Sequence, residues 1–349
     1  MSNQANQYKN QNAPLLMATP VAVATIPQQS YQQQQPYQAT LVQPNVVVMN
    51  RAPVQEHIVF NSIIEDYLVP SQGLLIREKQ WLSQIACGAC EKQVQFKVAN
   101  WDQNVPDAAE DHEFTSRPAQ FMIKEQSECC QRYCFHQMRE LKLGIFPMGG
   151  TMHDTNESSG WPQNVDRLLE FDKPCAAPIP CCCCLLCAPE MKVTRPAQIQ
   201  RNVPEEYFGR VVFDWKWWNC CFPCEHYMSV KDHNDQELYV LRRAMCCSMK
   251  DGCCVNMCAP SCCNLVHRTS IEDVNGNQVG EMKNIFPGYN VRGLCQGNSA
   301  ADNFALIYPN DANVRDKSLL LAGMMLTNFV YWERRANQDQ NGGGGFSNY

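Results

Sequence analysis

Apolar and polar residues alternate in short runs through much of this chain, the period of strands that bury one face. "KQVQFKV" (92–98) alternates and closes on the turn-like "ANWDQN". "HYMSVKDHNDQELYVLRR" (226–243) reads as a strand, a polar turn at Asp232 to Asp235, and a second strand. "RTSIEDVNGNQVGEM" (268–282) repeats that plan, with Asn275-Gly276 as a hairpin signal. Several short strands parted by turns predict a sandwich or a barrel. "FPMGGTMHDTNESSGWPQNVD" (146–166) is turn-rich and reads as a long surface loop.

The last patterned segment breaks the alternation. In "NVRDKSLLLAGMMLTNFVYWERR" (313–335) the run from Leu319 to Trp332 is apolar apart from Gly323, Thr327 and Asn328. Leu319, Leu320, Leu321, Met324, Met325, Phe329 and Trp332 are its bulky members. Asn313 or Asp311 suits an N-cap, and Arg334 and Arg335 suit the C-terminus. A helix from Lys317 to Trp332 is about 24 Å long, short of the roughly 30 Å hydrocarbon core of a bilayer. A helix apolar on nearly every side must still be buried. Its length favours a protein core over a thinned bilayer.

Composition separates the ends from the body. Residues 1–55 are rich in Gln, Asn and Pro, a composition that cannot offset chain entropy, and predict a disordered arm. Its plain reading is a spacer. The sharper one, a ligand for proline-motif-binding proteins, lacks a PxxP core. Residues 56–335 form the body, and 336–349, with "NGGGG", form a flexible tail. The net charge of -6 gives no reason to expect nucleic acid. No basic run is present to hold an anionic membrane, so attachment to a bilayer must come from apolar groups. No charged leader precedes an apolar run, and Ser2 stands where N-myristoylation requires glycine. The expected compartment is reducing, where the 22 cysteines need an explanation other than disulfides.

Five of those cysteines, Cys181, Cys182, Cys183, Cys184 and Cys187, crowd into "CCCCLLC". Disulfides, a metal and thioester-linked acyl chains are the candidates. Cys184-x-x-Cys187, Cys87-x-x-Cys90 and Cys221-x-x-Cys224 have zinc-type spacing, and Cys246, Cys247, Cys253, Cys254, Cys258, Cys262 and Cys263 form a further run. Adjacent cysteines on a strand point to opposite faces, so only some of them could share an ion; zinc is not the expected ligand. Buried thiols acting as small hydrophobes are the plain alternative.

"AADNFALIYPNDANVRDKSLLLAGMMLTNFVYWE" (300–333) closely resembles the C-terminal end of the phospholipid scramblases. Asp302-Asn303-Phe304, Pro309 and Asp311 match the family's Asp-Asn-Phe, short strand, Pro and acidic residue before a hydrophobic helix. "SECCQRYCF", "LLEFDKPC", the cluster before "PEMKV", and Gly209 and Trp215 in "GRVVFDW" extend the resemblance over about 60–333. The resemblance implies a mainly β, tubby-like closed antiparallel β-barrel around a central hydrophobic C-terminal α-helix. It also implies palmitoylation of the cysteine cluster. Five thiols allow the two acyl chains that stable anchoring requires.

Family relatives also carry an EF-hand-like reading of the segment at 300–311. Here Ala300 replaces the first donor, leaving Asp302, Asn303 and Asp311, so any Ca2+ binding is expected to be weak. The run "FALIY" reads as a core strand. In "FDWKWWNCCF" (213–222), Phe213, Trp215 and Trp217 share one face and Trp218 takes the other, for a core or a membrane interface. No Walker loop, HExxH or GxSxG element is present, which argues against covalent catalysis or ATP-driven flipping.

The expected function is ATP-independent, bidirectional movement of phospholipids across a bilayer, with calcium stimulation left open. The expected place is the cytoplasmic face of the plasma membrane or another cellular membrane. One short helix forms no groove by itself, so homo-oligomerisation or bilayer distortion is required. The rival is a lipidated phospholipid-binding adaptor of the same fold without transport activity.

Overall fold

The computed structural model describes residues 63–79, 93–101, 114–127, 139–148, 152, 162, 165–175, 188–214, 225–244, 256, 264–288 and 302–332. A short helix α1 (Ile63–Leu68) precedes twelve strands. They are β1 (Gly73–Glu78), β2 (Gln95–Asn100), β3 (Phe121–Gln126), β4 (Leu141–Pro147), β5 (Leu169–Lys173) and β6 (Glu190–Arg195). There follow β7 (Glu206–Asp214), β8 (Glu225–Asp232), β9 (Glu237–Ala244), β10 (Val266–Glu272), β11 (Gln278–Ile285) and β12 (Asn303–Ile307). Helix α2 (Val314–Thr327) continues into a π turn (Asn328–Trp332).

Every strand pairs antiparallel with its sequence neighbours, and β1 also pairs with β12, which closes the barrel. This is the architecture the resemblance implied. Closure leaves no free strand edge. Alternation sets the inner face: Leu74 and Ile76 of β1, Phe96 and Val98 of β2, Phe121 and Ile123 of β3, and Phe304 and Leu306 of β12 all join one core. Gly209 has a local task. Facing it, the β6–β7 register shifts between Val193 and Thr194, its φ is 144°, and a Cβ there would lie 2.1 Å from the Lys231 carbonyl oxygen. Only glycine fits that approach.

Helix α2 fills the interior. Its residues from Asp316 to Thr327 are buried, as are Phe329, Val330 and Trp332 beyond it. The apolar run is shielded by strands: Gly323 faces Leu241, Met282 and Val211, from β9, β11 and β7. No helix among the described residues is long and apolar enough to cross a membrane. Of the two capping candidates, Asn313 is the cap: its side chain accepts from Asp316 N, and Asp316 accepts from Asn313 N. The helix therefore starts three residues before the Lys317 read from the apolar run, because the cap and not hydrophobicity sets its first turn.

The N-terminal end of α2 is tied to α1. Lys317 Nζ donates to the carbonyls of Leu68, Val69 and Ser71 at 2.8, 3.2 and 2.7 Å, and it lies 5.6 Å from the Tyr308 ring centre. Burial lowers the Lys317 pKa, and the three carbonyls supply its acceptors in place of water.

Candidate functional site

An up-and-down barrel sends alternate connections to opposite ends. Six chain segments join β1 to β2, β3 to β4, β5 to β6, β7 to β8, β9 to β10 and β11 to β12 at one end. All 22 cysteines fall in those six segments. The segments joining strands at the other end hold none; they include the tight turns at Asp232–Asp235 and Asp273–Asn277. Cys175, two residues past β5, is exposed. The 181–187 cluster, the other cysteine runs and Trp215, Trp217 and Trp218 lie outside the described residues. Phe213, their neighbour on β7, joins the interior core.

The carbonyl end of α2 reaches the same end of the barrel. There the interior changes from apolar to polar. Seven of the strands carry, or are closely preceded by, a buried polar residue at an inward position toward this end. Glu125 follows Ile123 on β3, Arg139 precedes Leu141 on β4, and Lys173 follows Phe171 on β5. His226, Arg243, His267 and Asn284 take the same role on β8, β9, β10 and β11. All seven are buried. Arg139 pairs with Glu125 at 3.1 Å and lies 5.5 Å from the Phe329 ring centre, while Lys173 Nζ donates to the Arg139 carbonyl at 2.9 Å. Cations suit this place, since the last carbonyls of a helix carry partial negative charge.

Around the π turn the layer is aromatic as well. Trp332 stacks on Phe304 with ring centres 5.5 Å apart, and Tyr331 stacks on His226 at 5.1 Å. Two N–H groups face His267: Arg243 Nε lies 2.8 Å from its Nε2, and Trp332 Nε1 lies 3.1 Å from its Nδ1. A neutral imidazole accepts at only one nitrogen. The shorter contact, from the charged donor, is assigned as the hydrogen bond.

Burial, then the neighbouring Arg243 charge, pushes the His226 pKa down to about 4, and the same causes hold His267 well below its usual value. Burial also lowers Arg243 to about 10. The sign of the linkage follows. Between pH 6.5 and about 4 the unfolded chain binds a proton at His226 that the folded chain does not, so stability falls as pH falls through that window. We expect His226 alone to contribute about 3 kcal/mol of that loss, with His267 adding to it. Urea unfolding at pH 7 and pH 4.5 checks this. His226→Gln should lose about 2–3 kcal/mol less over the interval than the natural chain.

The three proposed calcium donors are not brought together. Asp302 and Asn303 stand at the start of β12, at the cysteine-bearing end. Asp311 lies beyond the other end of β12, in the turn leading to the Asn313 cap. Among the described residues no group of three His, Cys, Asp or Glu side chains could hold a metal ion.

Comparison with known proteins found no matching family model and no matching solved structure. Among curated proteins, the chain is 25% identical to phospholipid scramblase 1 of Mus musculus over 226 residues, covering 64% of this chain and 54% of that protein. It is 23% identical to phospholipid scramblase 1 of Homo sapiens over 282 residues, covering 80% of this chain and 68% of that protein. The Rattus norvegicus protein of the same name matches at 25% over 226 residues. These matches support membership of the phospholipid scramblase family. The chain spans about half the length of the mouse and rat scramblases that it matches.

Sequence reasoning missed the inner polar layer. Its signal was present: buried polar residues recur at the inward parity of β3, β5, β8, β9, β10 and β11, and just before β4, always toward the same end.

Proposed function

We propose that this protein associates with a cellular membrane through acyl chains on the cysteines at one end of its barrel, and that it promotes ATP-independent movement of phospholipids between leaflets. The similarity to scramblase 1 proteins carries the reading. The placement of all the cysteines between strand ends at one end supports it, since any acylated pair there draws the same end to the bilayer. Cys181, Cys182, Cys183, Cys184 and Cys187 are the proposed acylation sites. The barrel then stands on the cytoplasmic leaflet with the carbonyl end of α2 toward lipid.

The barrier to lipid exchange is the passage of a polar headgroup through hydrocarbon. A barrel filled by its own helix offers no channel through its middle. Transport in this reading comes from thinning or disordering the bilayer beneath the acylated end, by one copy or several. The filled interior equally favours a second reading, in which the protein is a lipidated phospholipid-binding adaptor. Reconstitution of purified, acylated protein into vesicles separates the two. Transport exposes an inner-leaflet fluorescent lipid to a membrane-impermeant quencher without ATP. If the inner pool stays protected with and without calcium, the transport reading fails and the adaptor stands.

A further inference from the structure

Arg243 of β9 points into the barrel at the cysteine-bearing end, with 6% of its surface open. Its Nε meets His267, its Cζ lies 4.2 Å from the Tyr331 ring centre, and its Nη1 has no hydrogen-bond partner. Nearby interior cations are answered within the chain, Arg139 by Glu125 and Lys173 by a carbonyl. Arg243 is not: no carboxylate among the described residues forms an ion pair with it. Glu78 and Asp302 share the inward parity, but on β1 and β12, with β10 and β11 between β9 and β12.

Other buried polar atoms around the same ring also lack partners. His226 sits opposite Arg243 in the β8–β9 ladder, stacks on Tyr331, and has an unpartnered Nδ1. The Tyr331 hydroxyl is unpartnered too. So is Asn328 Oδ1, in the same π turn. A guanidinium offers only N–H groups, while the phenol and a neutral imidazole can each donate. A water molecule could accept these hydrogen bonds but could not neutralise the charge, which the helix carbonyls and the Tyr331 ring offset only in part.

We propose that this barrel mouth binds a phosphate group, with Arg243 as its charge partner and Tyr331 and His226 as hydrogen-bond donors. The three groups come from β8, β9 and the π turn and meet at the Tyr331 ring. A phospholipid headgroup and free phosphate share this chemistry. The inference deepens the membrane reading by naming the lipid group that the barrel end would hold. Its test reads no transport, so the two can fail separately.

Thermal unfolding of the full chain is followed with inorganic phosphate, with dihexanoylphosphatidylserine below its micelle-forming concentration, and with chloride at matched ionic strength. At tenfold above Kd the Tm should rise by about 3–5 °C with phosphate or with the lipid, but not with chloride. A rise with phosphate alone assigns the site to free phosphate; a rise with the lipid assigns it to headgroups. Arg243→Met should fold, match or exceed the natural Tm without anion, and lose the shift, because it removes an unanswered buried charge. Tyr331→Phe should keep the fold and weaken binding about tenfold.

Three results overturn the proposal. The first is no anion-specific shift in the natural chain, and the second is an unchanged shift in Arg243→Met. The third is a large drop in Tm for Arg243→Met without anion, which would reveal a carboxylate of the chain left stranded.

Discussion

Leu321→Lys should yield no folded protein. Leu321 is fully buried in the middle of α2, inside a closed barrel. A lysine there would place an ammonium among apolar side chains with no counter-charge. Whether the side chain keeps its charge or gives up its proton, that cost, added to the lost packing, is comparable to the roughly 5–15 kcal/mol that holds a typical domain together. The milder Leu321→Ala should fold and lose about 3–5 kcal/mol, since a close-packed interior leaves a cavity where the side chain was. The reading is a lower urea midpoint at unchanged slope. A helix facing lipid would respond differently, because mobile acyl chains fill the gap. A loss below about 1 kcal/mol for Leu321→Ala would therefore argue against a barrel-filling helix.

The second large effect concerns the membrane. Changing Cys181, Cys182, Cys183, Cys184 and Cys187 together to Ser should move the protein from the membrane fraction to the soluble fraction, by about tenfold or more. Each buried methylene contributes roughly 0.8 kcal/mol, and two chains anchor stably where one is marginal. The chain carries no basic run to take their place. Fractionation with acyl-exchange labelling reads both position and modification. Retention on membranes with the label persisting on other cysteines would contradict the assignment to 181–187. It would leave the orientation intact, because every other cysteine lies in a segment at the same end. Retention with no acyl label at all would contradict the anchor itself.

Much of the fold was legible because period and turn chemistry agreed. The 226–243 and 268–282 hairpins became β8–β9 and β10–β11, and Asn275-Gly276 does lie in the second turn. "FALIY" became β12 and the first residue after it. The all-round apolar segment at 319–332 required burial, and the barrel interior supplies it. Other elements were not visible. β1 is buried at every position, because its outward Leu75 packs with Phe114, Val266, Ile285 and Ala305, so it shows no alternation. Helix α1 is six residues long and is held by Lys317 from the far end of the sequence, a contact no local pattern reveals.

The candidate site divides in the same way. That the cysteines share one end follows from strand order, which a list of cysteine positions does not contain. The inward polar residues resembled solvent-facing positions, because a polar residue beside apolar ones in an alternating strand usually marks the wet face. Asp302 and Asp311 are close in sequence, yet a whole strand lies between them.

The most direct measurement labels the membrane-bound, acylated protein with a photoreactive carbene probe confined to the hydrocarbon core, and maps the labelled peptides. With the acylated end toward lipid and α2 inside the barrel, label should appear in the cysteine-bearing segments and be absent from residues 319–330. Strong labelling of 319–330 would show that the helix meets lipid rather than strands, and would contradict the barrel-enclosed arrangement on which the proposed mode of action rests.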